Sequence, residues 1–383
     1  MLKNKAPAMT SRERMFAAME LKPTDVVPVY PNILPDHACH VFGMDYRDVL
    51  ENPLLGYDLT IKAGRAYGFD GLRVWMGPRK DWKEDKNFVR EGEDLFVHDK
   101  TTGERIAQFD VQGGGSMMPL RDGVFTRDKW GFPIGQKVKT ASDLGKIEIV
   151  KASDYFRHGQ MEPVEKFIKQ VGHEMFVAGI CCDQSMNFLL KQRGSEQALT
   201  DLIDNPGLAR KIMAIALEIS IEKGKAFIQA GVDALYIGDS YASCSVISPK
   251  QYREFCFPNY CKATEEFHRL GVKVYQHCCG NCNPLLELVA DEGVDAIECL
   301  DPTSGMDVAD AKRRVGDRVC LMGGVSCITL FKGNPEDVRM ESLECIRKGA
   351  FNGGFALGSA CEIPPKTPVA NVKAMVQAAK ESV

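Results

Sequence analysis

Apolar runs of four to six residues recur along the chain, and charged amphipathic stretches of helical length separate most of them. The runs predict strands at residues 26–30, 71–74, 175–179, 234–238, 272–277, 296–300, 319–323 and 354–357. Each is apolar on both faces, the mark of a strand buried from both sides. The intervening segments carry helix-start signals. Thr10 with Glu13, and Ser248-Pro249 with Gln251, fit capping boxes, and Asn334-Pro335-Glu336 is a further start. Eight strands alternating with helices predict an α/β fold of the (β/α)8 TIM barrel type.

Such a barrel needs about 250 residues, and the chain has 383. The surplus predicts a single barrel domain over 1–383 with an insertion at about 78–135. Within it, residues 94–109 alternate around a Thr-Gly turn and read as a β-hairpin. Gly113, Gly114 and Gly115 follow. With no lysine or helix start behind them, they read as a connector rather than a phosphate loop.

Composition narrows the function classes. Lys+Arg number 48 against Asp+Glu 52, a net charge of −4 with no basic block, which argues against nucleic acid as a partner. No apolar run approaches a membrane span and the first residues lack a signal-peptide core, so a cytoplasmic location is expected. In a reducing compartment the fourteen cysteines are expected to be thiols, metal ligands or redox groups instead of a disulfide framework.

In a barrel the chemistry gathers where strands end. The strand at 272–277 ends in His277, with Cys279 two residues on. Residues two apart on an extended segment share a side, so these two can share one ion while Cys278 points away. The last strand leads to Cys361, and neighbouring strands end at Asp239 and at Glu298 or Asp301. One imidazole with two thiolates is a zinc-type set that leaves a fourth position for chemistry. Cys279 and Cys282 also form a C-x-x-C, which allows a redox pair. Cys181, Cys182, Cys244, Cys256, Cys261, Cys299, Cys320, Cys327 and Cys345 read as packing residues. His37, His40 and His98 read as surface or substrate-loop groups.

With these residues in view, the chain resembles the uroporphyrinogen decarboxylase superfamily over nearly its whole length. The resemblance is carried by Thr10-Ser-Arg-Glu-Arg-Met-Phe with Val26-Val-Pro-Val-Tyr, by Ile247-Ser-Pro-Lys-Gln-Tyr, and by the closing Pro364-Pro-Lys-Thr-Pro. It too implies a (β/α)8 barrel. The arginine-rich segment of the decarboxylases is replaced here by residues 31–40, which hold no arginine, and Ser359-Ala-Cys361 stands where they carry a histidine. Both departures favour the cobalamin-dependent methyltransferase branch, whose H-x-C and later cysteine match His277, Cys279 and Cys361.

That branch implies zinc held by those three residues, which would also be the catalytic set, and cobalamin supplied by a partner corrinoid protein. It implies methyl transfer between methyl-Co(III)/Co(I) and a small molecule, either a thiol acceptor such as coenzyme M or a methoxylated or methylated donor. A metal-free decarboxylase is the alternative. Glu298, or Asp301, is the expected fourth ligand, and Asp239, Tyr241 and Trp75 are expected at the substrate. An anaerobe's one-carbon metabolism is the setting implied, and homodimerisation is left open.

Overall fold

A computed structural model describes residues 8–112, 114–120, 138–182 and 184–382. Its strands are β1 (Gly71–Val74), β2 (Lys86–Glu91), β3 (Asp94–Asp99), β4 (Arg105–Phe109), β5 (Met117–Pro119), β6 (Phe176–Ile180), β7 (Ala234–Gly238), β8 (Lys273–His277), β9 (Ala296–Glu298), β10 (Cys320–Val325) and β11 (Phe355–Ser359). The fold is α/β, as the pattern predicts. Seven strands form one curled parallel sheet in the order β1-β6-β7-β8-β9-β10-β11.

The eighth expected strand, at 26–30, does not form a ladder. Pro28 and Pro31 have no N–H to give one. What remains is a bridge from Val29 to Leu357, made by Leu357 N to Pro28 O and Tyr30 N to Leu357 O, both 2.8 Å. The other edge of the segment holds Asp70, whose N–H donates to Val29 O at 2.9 Å. Residues 28–32 therefore lie between β11 and β1 and link the two ends of the curled sheet.

The alternation along each strand sorts residues into two layers. Inward side chains from Tyr30, Phe176, Ala178, Tyr236, Tyr275, Ala296, Met322 and Ala356 fill the barrel interior, large residues facing small ones. Met15 and Met19, on the helix Ser11–Met19, close the bottom. That helix has the full Thr10–Glu13 capping box, and the Ser248–Gln251 box is likewise formed. Outward residues meet the surrounding helices in a second, larger core.

The inserted segment is larger than one hairpin. β3 and β4 pair antiparallel as expected around the 101–103 turn, but β2 and β5 flank them in a four-stranded sheet. β2 escapes the sequence reading because it is mostly polar. It is anchored by Arg90, which donates to Glu51 and Asp48 on the neighbouring helix. Leu95, Val97, Ile106, Ala107 and Phe109 seat the sheet on Leu50 of the helix Tyr46–Glu51. Gly113 lies outside the described residues. Gly115, at φ +76°, passes so close to Leu50 that a β-carbon would lie 2.5 Å from it. Among the described residues no helix is long and apolar enough to cross a membrane.

Candidate metal centre at the barrel mouth

The ends of β8, β9 and β11 converge. On β8 the inward set is Tyr275 and His277, so His277 arrives at the rim pointing into the barrel. It can do so because β7 ends in Gly238. There φ is +138°, and a β-carbon would lie 2.2 Å from the His277 carbonyl oxygen. The His277 ring stacks at a tilt on Tyr236, centroids 5.1 Å apart.

Three side chains meet closely at this rim: His277, Cys299 and Cys361 each offer a ligand atom within 4.8 Å of the others. Cys299 Sγ lies 3.3 Å from Nδ1 and 3.4 Å from Nε2 of His277. Tetrahedral zinc with ordinary bond lengths spaces a sulfur and a nitrogen ligand about 3.6 Å apart, so the donor set fits that ion in both chemistry and spacing. Cys279 stands beside Cys361, hydrogen-bonded to it and to Ser240. The Cys361 thiol is held well below the ordinary thiol range, first by hydrogen bonds from Cys279 and Cys299 and then by His277. Its partner Cys279 is pushed up, because losing its proton would face the Cys361 thiolate. One sulfur thus takes negative charge and three neighbours share it.

Of the expected set, His277 and Cys361 meet closely, joined by Cys299, while Cys279 stands to the side of Cys361. Cys299 reads as packing in the sequence because the apolar run carries the strand on to residue 300. In the structure β9 stops at Glu298 and Cys299 takes φ +77°, an unusual backbone conformation for a residue with a β-carbon. That turn places its sulfur at the rim.

Glu298, expected as a fourth ligand, is placed differently. One carboxylate oxygen lies 3.1 Å from His277 Nδ1 and the other pairs with Arg73. Both side chains of the Arg73–Glu298 pair are 2% exposed. Glu298 thus bridges the guanidinium of Arg73 and the imidazole of His277. Arg73, which the sequence reading did not single out, is the inward residue of β1. Its Nε donates to Tyr275 Oη at 2.9 Å, its Nη1 to Pro31 O at 3.1 Å, and its guanidinium lies 4.6 Å over the Tyr30 ring. An arginine inside an apolar strand was the available signal, since buried charges are rare unless paired.

The other expected residues divide. Asp301 caps its own short turn, accepting from Thr303 N at 2.9 Å and Ser304 Oγ at 2.9 Å. Asp239 is buried and ties two rim loops together, accepting from the N–H groups of Asn187 and Tyr241. Tyr241 and Trp75 are each 42% exposed, on the loops after β7 and β1. The expected reduced state of the cysteines is corrected at one point. Cys278 and Cys282 form a disulfide, so the bond takes Cys278 instead of Cys279 and leaves Cys279 as a thiol. The outward direction of Cys278 makes that pairing accessible.

The profile of the uroporphyrinogen decarboxylase (URO-D) family matches residues 133–382, well over half of the chain. The chain belongs to this family. Relatives on the methyltransferase side include the methylcobamide:CoM methyltransferase MtaA of Methanosarcina barkeri, 31% identical over 181 residues, 47% of this chain and 50% of that protein. The methylated-thiol–coenzyme M methyltransferase of Methanosarcina mazei is 28% identical over 179 residues, 46% of each chain. A uroporphyrinogen decarboxylase of Chlorobium phaeovibrioides is 30% identical over 184 residues, 46% of this chain and 50% of that one. The chain spans about half the length of the curated relatives it matches. Its fold is that of a methyltransferase from Methanosarcina mazei, with a TM-score of 0.73 over 97% of this chain and 99% of that one at 22% identity. The resemblance to the corrinoid methyltransferase branch thus stands beside a resemblance to the decarboxylases.

Proposed function

We propose that this chain moves a methyl group between a partner corrinoid protein and a small molecule, using zinc held by His277, Cys299 and Cys361. The observation that carries the reading is the meeting of one imidazole and these thiols at the C-terminal mouth of a barrel. Cys279, at the side of Cys361, would complete the set wherever a substrate heteroatom did not. Bound there, zinc would supply Lewis-acid activation of that sulfur or oxygen atom.

The chain's own groups prepare the site. Glu298 accepts the Nδ1 proton of His277 and so directs the Nε2 lone pair to the ion. Arg73 pairs with the other carboxylate oxygen of Glu298 and so fixes the carboxylate beside the imidazole. Cys361 is held as the thiolate by its neighbours. With a methylated donor, the methyl–heteroatom bond breaks, the heteroatom keeps the bonding pair, and the methyl passes to the partner's reduced cobalt. With a thiol acceptor the same transfer runs in reverse, and the sulfur gives up its proton before it attacks the methyl. The mouth also suits a protein partner: Trp75, Tyr241 and Val246 on the loops after β1 and β7, and Ile328 and Phe331 on the helix Cys327–Lys332 after β10, are exposed apolar groups. A cytoplasmic setting accords with the twelve cysteines that stand as thiols.

Metal analysis tests the reading. Purified protein is expected to hold one zinc per chain, and Cys361→Ser to lose it together with methyl transfer from methylcobalamin or to Co(I) corrinoid. A native protein free of zinc, or a Cys361→Ser variant with its zinc intact, would overturn it.

A further inference from the structure

Where the end of β1 meets the turn before β5 lies a cavity of about 250 Å³, with Arg73 in its lining. Its walls come from the segment after residue 31, the helices Tyr46–Glu51, Pro53–Tyr67 and Glu162–Val171, the end of β1, and the turn leading into β5. Ile33, Val49, Leu50, Val74, Met76 and Phe167 make the lining largely apolar. Two glycines bring these walls together. At Gly56 a β-carbon would lie 3.0 Å from Val49 and 3.1 Å from Pro35, and at Gly115 it would collide with Leu50 and Tyr46. The walls are thus closed as tightly as the backbone allows, while the space between them stays open.

The polar groups in the lining are few and already engaged as donors. Tyr57 Oη donates to Trp75 O at 3.1 Å, and Thr60 Oγ1 to Gly56 O at 2.8 Å. Each keeps lone pairs that can accept a hydrogen bond. Among the described lining residues Arg73 alone is charged, and Glu298 already matches its charge. An anionic ligand would lose its hydration here without gaining an unpaired cation. A flat apolar ring loses nothing of the kind, and Trp75, Tyr46 and Tyr57 offer it aromatic neighbours. A cavity of 150 Å³ is enough for benzene, so 250 Å³ accommodates one ring with a small substituent.

We infer that this cavity binds an uncharged, single-ring aromatic molecule, with the 114–116 turn at its rim. The ring's role as methyl donor rests on the function proposed above; its binding does not. Calorimetry with 2-methoxyphenol tests it, with 4-methoxybenzoate as the charged control. Saturable 1:1 binding of the phenol is expected, at least tenfold tighter than that of the benzoate. Val49→Phe fills the cavity from inside and Ser116→Phe obstructs it from the exposed turn, so each is expected to weaken binding at least tenfold. Ser116 is a surface position, which keeps that variant foldable if Val49→Phe is not. The metal-deficient Cys361→Ser variant is expected to bind the phenol as the native protein does. Absence of saturable binding, equal binding of the benzoate, or native affinity in the Ser116→Phe variant would overturn the inference. Ring binding by a native protein that carries no zinc would overturn the function proposed above and leave the cavity's assignment standing.

Discussion

Replacing Glu298 by glutamine removes one charge from a buried chain of three groups, Arg73, Glu298 and His277. Both members of the ion pair are 2% exposed, so the change strands a guanidinium in the barrel interior. Breaking a buried pair from one side costs about 3–5 kcal/mol, because the survivor is left desolvated. Arg73 keeps its bonds to Tyr275 and Pro31 and its place over the Tyr30 ring. Those contacts, with up to about 2 kcal/mol from a desolvated cation–π interaction, favour the lower end, near 3 kcal/mol. Removing Arg73 as well, in Arg73→Met/Glu298→Gln, leaves no isolated charge. The double variant is therefore expected to lose about 2–3 kcal/mol less than the two single losses summed.

The same substitution acts separately on the metal. Without an ionised partner at Nδ1, His277 loses both orientation and basicity, and zinc affinity is expected to fall about 10–100-fold. Denaturant titration of metal-free wild type, both single variants and the double variant gives the coupling energy. Competition with a chromophoric chelator gives the zinc affinity. Additive stability losses would refute the pairing as the reason Arg73 is tolerated in the core. A zinc affinity within twofold of wild type in Glu298→Gln would refute the orienting role.

Three further outcomes follow from the geometry. Cys299→Ser, which a packing role would make nearly neutral, is expected to weaken zinc binding by about 3 kcal/mol, a quarter of the ~10–16 kcal/mol typical of a four-ligand zinc site; chelator competition measures it. Gly238→Ala puts a β-carbon against the His277 carbonyl at an unfavourable φ, so stability is expected to fall by about 2–4 kcal/mol in denaturant titration, with weaker zinc binding. His37 is buried, 2.9 Å from Tyr67 Oη and stacked on that ring, and burial lowers its pKa to about 4. A base whose folded pKa lies below its unfolded value stabilises fully above about pH 6.5 and loses that contribution as the pH falls toward 4. The stability advantage of wild type over His37→Gln is expected to shrink by about 2.5 kcal/mol between pH 7.5 and 4.5, and an unchanged difference would refute the burial of a neutral ring.

The order of strands was legible because a parallel sheet covered by helices writes itself as repeated apolar runs. β1 and β7 fall where the runs lie, at Gly71–Val74 and Ala234–Gly238. The errors sit where apolar character and hydrogen bonding part company. Residues 26–30 are apolar enough for a strand, yet Pro28 and Pro31 withhold the donors a ladder needs, so only a bridge survives. β2 is the converse, polar in sequence but paired along its whole length with β3. Its pairing depends on a neighbour and on the Arg90 anchor, neither of which shows in its own composition.

The candidate metal centre divides along a similar line. His277 and Cys361 were legible because position at a strand end is a property of the local pattern. Cys299 was not, because its role depends on where β9 stops, and an apolar run of Ala296, Ile297, Cys299 and Leu300 gives no sign of the turn at φ +77°. Glu298 shows why residue type and position together still underdetermine a role. A carboxylate at a strand end is equally well placed to bind an ion or to hold the ligand that does. What decides between them is Arg73, distant in sequence by 225 residues. Once a buried arginine claims one oxygen, the remaining oxygen can serve the imidazole without leaving a charge unmatched. Bound to zinc instead, the carboxylate would have to give up its pairing with Arg73 in the core. The cation on β1 therefore claims one oxygen of the carboxylate on β9 and leaves the other to the imidazole of His277 at the mouth.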